Sequence, residues 1–320
     1  MRISFSFAAA FVFGMAGGLY PAMALERCTA QEMLELELFY DSVGRPIVPV
    51  SLDGRERYFL IDTGGAISTI DRGPAEAWGL DFEEAGTWLM DVTGARSDQM
   101  VVIGEFLIGP LRSEEHALIL SPGLPGEDSE KHFIGTISPD ILQAYDVEFD
   151  FGRGFFHLYE PGHCAGNVVH WPHERLTVIP FEMNHAGHIA FPVTLDGIEM
   201  TAIVDTGAQY STLNRDIAEA DLGMDFSDET LEAVGTIGEE NDLVYRHTFE
   251  QLTLNGLEIN EPVMTILPDL IVSDTDQLMG LRSGLRLPDL IIGMSVLSRL
   301  HLYIAYDEKR LYVTEAGPGE

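Results

Sequence analysis

Positive charge is scarce in this 320-residue chain: 18 Lys and Arg stand against 52 Asp and Glu, a formal net charge of −34. Binding nucleic acid requires clustered Lys and Arg to neutralise phosphates, and the sequence has no basic stripe and no Arg-rich arm. Nucleic acid and anionic membrane surfaces are therefore not expected partners. The excess of negative charge bears on solubility and leaves the fold undecided. Cysteine is nearly absent too, so the pair Cys28 and Cys164 can make at most one bridge. Long apolar runs are limited to one, Ile3 to Tyr20; no other segment is long and apolar enough to span a bilayer. What remains is 46% hydrophobic and 22% charged, enough for one large core or two of ordinary domain size.

Arg2, the apolar run, Pro21 and "AMA" at 22–24 have the order of a secretory signal, with Ala22 and Ala24 in the small-residue cleavage pattern. Gly14, Gly17 and Gly18 within the run argue against an uncleaved anchor. Arg27 stands where a lipid-attachment site before Cys28 needs a small residue. Cleavage after Ala24 predicts a periplasmic or secreted protein with no stable membrane anchor, in an oxidising compartment where Cys28 and Cys164 can persist as a disulfide.

Sliding the sequence against itself by 143 positions aligns Pro49–Ala77 with Pro192–Ala220 without a gap, and 15 of those 29 positions are identical. Each copy reads as a strand, a "LDG" hairpin turn, a second strand ending in Asp-Thr-Gly, then Ser-Thr and a short helix. Asp71 and Asn214 are the candidate helix N-caps. Both copies continue into β-rich sequence and close on a second shared phrase, "FIG" at 133–135 and "IIG" at 291–293, followed by a short helix and a strand ending in Asp. The chain is thus expected to be all-β with short helices, in two pseudo-symmetric lobes flanking a cleft. The division is a signal peptide at 1–24, an N-terminal lobe at 25–165, a linker at 166–177 and a C-terminal lobe at 178–320.

The phrases "LIDTGGAIST" with "FIG" and "IVDTGAQYST" with "IIG" resemble the pepsin/retropepsin-type aspartic proteases, in the single-chain, two-lobed form of bacterial retropepsin-like enzymes. The resemblance implies an endopeptidase acting on extended polypeptides without a metal or other cofactor, with Asp62 and Asp205 as the catalytic dyad. Thr63 and Thr206 would bond across the lobes, Gly64 and Gly207 would leave room for close approach, and Ile134-Gly135 and Ile292-Gly293 would cross behind the Asp loops. Since one chain holds both copies, a monomer suffices. The chemistry has its own logic: two carboxyl groups sharing a proton can take a proton from water and hold a carbonyl oxygen at once.

Departures from the pattern are Gly65 and Ala208, where pepsin-like enzymes usually carry Ser or Thr, and the lack of a clear flap tyrosine. Flap candidates are the turns around Gly94 and Gly238. Six of the ten histidines fall between 157 and 188 and read as solvated linker residues, not a metal site. The alternative function is a catalytically silent peptide- or ligand-binding protein on the same fold. A two-carboxylate glycosidase gives no reason for a duplicated Asp-Thr-Gly. Protein purified from the export compartment is expected to begin at Leu25 and to show Cys28 joined to Cys164 in non-reducing mass analysis. An intact hydrophobic N-terminus, or two free thiols, contradicts the respective half of this expectation.

Overall fold

The computed structural model of the chain describes residues 29–90, 96–121, 133–163, 165–184, 187–227, 231–237, 242–268 and 288–317. The signal segment 1–24, Cys28, Cys164, Gly94 and Gly238 lie outside the described residues. The first half of the chain runs through β1 (Glu32–Glu37), β2 (Phe39–Tyr40), β3 (Pro46–Leu52), β4 (Arg55–Ile61), β5 (Thr69–Asp71), α1 (Arg72–Ala77), β6 (Glu83–Met90), β7 (Arg96–Ile108), β8 (Leu111–Ser121), β9 (Phe133–Ile137), α2 (Pro139–Leu142), β10 (Asp146–Asp150) and β11 (Phe155–Tyr159). The second half runs through β12 (Thr177–Pro180), β13 (Glu182–Met183), β14 (Ile189–Leu195), β15 (Ile198–Val204), β16 (Ser211–Asn214), α3 (Arg215–Ala220), β17 (Glu232–Ile237), β18 (Asp242–Thr248), β19 (Gln251–Leu254), β20 (Leu257–Asn260), β21 (Val263–Leu267), β22 (Leu290–Ile292), α4 (Met294–Leu297), β23 (Leu300–Ala305) and β24 (Arg310–Glu315).

The repeated phrase builds the same hairpin twice. Its turns, Asp53-Gly54 and Asp196-Gly197, hold both residues at positive φ (48° and 78°; 46° and 84°), the turn geometry whose twist matches that of paired strands. Each turn Asp also accepts a backbone N–H from a neighbouring strand segment, Glu105 on Asp53 and Gln251 on Asp196, both at 2.8 Å. Asn214 caps α3 by accepting the Asp216 N–H at 2.8 Å, whereas Asp71 occupies the equivalent place before α1 without a side-chain bond.

Among the described residues the strands form three sheets. One lobe is the order β2-β3-β4-β9-β5-β8-β7-β6, bent far enough for β3 to pair also with β7. The other is β17-β18-β21-β16-β22-β15-β14-β19-β20, with β13 added to β14. The third, β1-β11-β10-β23-β24-β12, takes three strands from each half and is joined at the β10–β23 pair, Val147 opposite Ile304 through Asp150 opposite His301. The apolar face of that pair, with Val147, Phe149, Leu302 and Ile304, merges into a core continuous with both lobes.

Strand alternation sends Asp146, Glu148 and Asp150 to the opposite face of β10, where they are nevertheless buried. They are covered by the segment that follows β11. Trp171 stacks on His301 at 3.9 Å and donates its indole N–H to Thr314 Oγ1 at 3.0 Å. Tyr159 and His301 bond the two oxygens of Glu148 at 2.6 and 2.7 Å, and His163 and Tyr303 bond Asp146. The expectation of solvated linker histidines is corrected here for His157 and His163, whose imidazoles are buried. Buried carboxylates demand hydrogen-bonding partners; His163 supplies one to Asp146 and His301 one to Glu148, while His157 pairs with the exposed Glu32.

Burial alone would raise the Glu148 carboxyl, but bonds from His301 and Tyr159 outweigh it and hold the group below its ordinary value. A depressed folded pKa contributes stability above the unfolded value, and that contribution is lost as pH falls through the folded one. Glu148→Gln is therefore expected to lower stability at pH 7 by about 1–3 kcal/mol and to flatten the acid side of the stability curve. Urea melts from pH 3 to 8 test both, and an unchanged acid slope contradicts the assignment.

Candidate active site

β4 ends at Ile61 and β15 at Val204, each one residue before an Asp, and both strand ends are fully buried. The chain then curls back on its own carboxylate. Asp62 Oδ1 accepts the N–H groups of Gly64 and Gly65 at 3.1 and 2.9 Å. Asp205 Oδ1 accepts those of Gly207 and Ala208 at 2.8 and 3.1 Å. The two carboxyl groups, one from each lobe, converge: a Cβ on Gly207 would lie 2.5 Å from Asp62 Oδ1 and 3.1 Å from Asp205 Oδ1. Burial raises the Asp62 pKa, against bonds from Asp205 and the loop amides and the charge of Arg45. Asp205 is pushed up to about 8, by burial first and then by the negative charge of Asp62. Such a pair titrates as a unit and holds one proton across a wide range.

The lock behind the pair is reciprocal. Thr63 N–H donates to Thr206 Oγ1 and Thr206 N–H to Thr63 Oγ1, both at 3.1 Å. Each hydroxyl then donates across the interface, Thr63 to the Val204 carbonyl at 2.9 Å and Thr206 to the Ile61 carbonyl at 2.6 Å. Both threonines are fully buried, so losing either hydroxyl orphans a buried N–H and a buried C=O, at about 1–3 kcal/mol for each. The glycines are required by space: a Cβ on Gly64 would overlap the Asp205 carboxylate, and one on Gly207 would lie 2.5 Å from Asp62 Oδ1.

A further strand crosses behind each loop, parallel to the strand that delivers the Asp. β9 places Ile137 opposite Ile61, and β22 places Ile292 opposite Val204. Asp62 N–H donates to the Ile137 carbonyl at 2.9 Å and Asp205 N–H to the Ile292 carbonyl at 3.0 Å. This corrects one pairing read from the sequence. The counterpart of Ile292-Gly293 is Ile137-Ser138, three residues beyond Ile134-Gly135. The β4–β9 register slips between Tyr58 and Leu60, so the similar phrases do not occupy similar places. Gly135 has a separate reason to be glycine, since a Cβ would run into Phe59 and the Thr69 carbonyl; Ile134 is buried beside it.

Sequence reasoning therefore missed Ser138 and Asp140. Ser138 N–H donates to Ser68 Oγ at 3.0 Å, as Gly293 N–H does to Ser211 Oγ at 3.1 Å. Asp140 Oδ1 receives the Ser68 N–H and hydroxyl at 2.9 and 2.7 Å, where Ser295 Oγ receives the Ser211 N–H at 2.9 Å. Arg45 was missed as well; its guanidinium pairs with Asp41 and reaches the Gly207 carbonyl at 3.4 Å. Each lobe also carries a long hairpin, β6–β7 and β17–β18, on either side of the positions of Gly94 and Gly238. Among the described residues one group has metal-ligand proximity, Glu32, Glu35 and His157. It lies on β1 and β11, elements separate from the Asp loops.

The chain matches the family model described as aspartyl protease over residues 48–136 and 191–296, which together include both Asp loops. Among solved structures it is similar to a retropepsin-like aspartic protease from Rickettsia conorii, at 21% identity over 45% of this chain and 96% of that one, with a TM-score of 0.33. It is similar also to basic 7S globulin from soybean, at 9% identity over 89% of this chain and 94% of that one, with a TM-score of 0.53. A comparison with curated proteins gives no match.

The space beside Asp62 is divided differently in the two lobes. A Cβ on Gly65 would lie 2.5 Å from Ser138 Oγ and 3.0 Å from Asp62 Oδ2, whereas in the other lobe Ala208 has its Cβ and the residue equivalent to Ser138 is Gly293. Gly65→Ala alone is expected to lower stability by about 1–3 kcal/mol through overpacking. Combining it with Ser138→Gly should recover most of that loss. Thermal melts of the two single variants and the double variant give the coupling, and additive effects contradict the proposed steric exchange.

Proposed function

Because the chain belongs to the aspartyl protease family, we propose that it is an exported endopeptidase that hydrolyses extended polypeptides with Asp62 and Asp205 acting as one proton-sharing unit. The observation that carries this reading is the close approach of the two carboxyl groups, one from each lobe, around the glycines of the crossed Asp loops. Export rests on the signal-like order of Arg2, the apolar run and Ala22-x-Ala24, which points to the periplasm or the exterior. One chain furnishes both Asp loops, so the reaction needs no second copy.

In this mechanism a water sits between the carboxyl groups, beneath the scissile carbonyl. The ionised Asp takes a proton from the water as its oxygen attacks the carbonyl carbon, and the protonated Asp gives its proton to the carbonyl oxygen. The resulting gem-diol is neutral, and the dyad has exchanged which member is protonated. In collapse, the newly protonated Asp delivers its proton to the leaving nitrogen as the C–N bond breaks. The other Asp recovers a proton from the gem-diol, which becomes the new carboxyl group. Four loop N–H groups and the threonine lock hold both carboxylates in place beforehand, so little reorganisation accompanies the charge movement.

A silent binding protein on the same fold would bind peptides without turnover. Digestion of casein or a peptide library separates the readings: wild type is expected to cleave, and Asp62→Asn and Asp205→Asn each to fall to background while still unfolding cooperatively. Near wild-type turnover in either variant contradicts the dyad. The rate should fall as pH drops through the lower macroscopic pKa, where both groups are protonated, and as pH rises through the upper one, where both are ionised. Burial raises both ionisations, so the maximum is expected above pH ~4. A maximum below pH ~3 contradicts the pKa assignments.

A further inference from the structure

The 143-residue repeat extends backward beyond its identical positions into a turn where the two lobes match in geometry and differ in charge. Asp41 and Arg45 lie between β2 and β3; Asn184 and His188, 143 positions later, lie between β13 and β14. Asp41 N–H donates to the Arg45 carbonyl at 3.0 Å and Asn184 N–H to the His188 carbonyl at 3.1 Å. Asp41 Oδ1 accepts the Arg45 N–H at 2.8 Å, and Asn184 Oδ1 accepts the His188 N–H at 3.0 Å. Gly44 and Gly187, each just before the basic residue, both have φ of 86°.

From these matched turns the two side chains reach across to the opposite Asp loop. Arg45 Nη1 donates to the Gly207 carbonyl, and the His188 ring lies beside the Gly64 backbone. Gly207 packs against Asp62, and Gly64 against Asp205. A permanent cation is therefore delivered to the Asp62 side of the dyad, and an imidazole to the Asp205 side. The bonds around that imidazole fit its neutral form. Asn184 Oδ1 is occupied by the His188 N–H, so its amide NH2 faces Nδ1 at 3.2 Å, which leaves the ring proton on Nε2. Burial also holds the imidazole below the usual His range.

We propose that Arg45 is a positioning residue that assigns the roles within the dyad: it keeps Asp62 as the carboxylate and leaves the shared proton on Asp205, while the equivalent place in the other turn is held by His188, which brings no permanent charge. The assignment rests on the proteolytic reading above. The charged or titratable groups involved are Asp41 and Arg45 on one turn, His188 on the other, and the two aspartates. Asp41 grips Nε and Nη2 of Arg45 at 2.7 Å, while Nη1 points to the Asp62 side. The counter-charge thus lies behind the cation as seen from the dyad, and a net favourable field on an ionised Asp62 remains. In the first chemical step Asp62 is then the base that takes the water proton, and Asp205 the acid that protonates the carbonyl oxygen.

The test transplants one turn into the other. In Asp41→Asn/Arg45→His the N-terminal lobe receives the neutral pair already accommodated in the C-terminal lobe. The acidic limb of the kcat/KM profile is expected to move up by on the order of one pH unit, because Asp62 loses the cation that favours its ionised form. Arg45→Lys should leave that limb nearly in place. In the reverse exchange, Asn184→Asp/His188→Arg, a cation beside Asp205 should move the basic limb down. An active wild type whose acidic limb stays put in the transplanted variant, with its thermal midpoint preserved, overturns the assignment and leaves the proteolytic reading standing. Carbon-13 NMR titration of the two carboxyl carbons reads the same shifts without turnover. Should Asp205 ionise before Asp62 in the wild type, the assignment is overturned even if no peptide is cleaved.

Discussion

Two carboxyl groups held against each other cannot both ionise cheaply, and the surroundings of Asp62 and Asp205 are arranged around that constraint. Sharing a proton removes the mutual repulsion but requires the groups to stay within hydrogen-bonding distance, although they belong to different lobes. Residues with less bulk at 64 and 207 permit the approach. The crossed bonds of Thr63 and Thr206 prevent the loops from separating without exposing buried N–H and C=O groups. The amides that each Asp receives from its own loop fix the orientation of the carboxylates. The lobes are further joined by a sheet in which β10 and β23 pair directly, so relative motion of the loops would disturb both the lock and the ladder.

Duplication explains how identical loops come to face one another; it leaves open how a symmetric pair performs two different roles. The described residues keep the hydrogen-bond pattern of the repeat and exchange the groups that make it. Asp140 accepts from Ser68 where Ser295 accepts from Ser211. Ser138 and Gly65 share the space that Gly293 and Ala208 divide in the other lobe. Asp41 and Arg45 stand where Asn184 and His188 do. Of the three exchanges only that of Arg45 brings a cation, and it lies on the Asp62 side, which is the side proposed to hold the carboxylate.

Acidic side chains are also used structurally. On β10 the alternate residues Asp146, Glu148 and Asp150 are sealed under the segment carrying His163 and Trp171. Burial raises Asp146, despite its bonds from His163, Tyr303 and Tyr306, while Glu148 is held down by His301 and Tyr159. Neighbouring carboxyl groups on one strand are therefore shifted in opposite directions: burial outweighs the bonds at Asp146, and the bonds outweigh burial at Glu148.

The duplicated Asp-Thr-Gly, the hairpin turns and the two-lobed β architecture were legible in the sequence, because they depend on local rules: strand alternation, the positive φ of Asp-Gly turns, and a repeat with a constant offset. Other features depend on contacts between distant segments. The three-residue offset between Gly135 and Ser138 follows from a slip in the β4–β9 register, which no comparison of similar phrases contains. The buried histidines looked like linker residues because the acidic face they cover is made by β10 and β23, 153 positions apart at the Glu148–His301 bond. The Arg45 and His188 turns were hidden for a different reason: their positions repeat but their residues do not, and identity counts pass over geometry preserved by unlike side chains. Sequence alone thus determined that two matching loops exist and which groups they carry. Tertiary structure decided that the loops meet, which carboxylate has a cation beside it, and which polar side chains are buried, because each of these is set by cross-chain distance and dielectric surroundings.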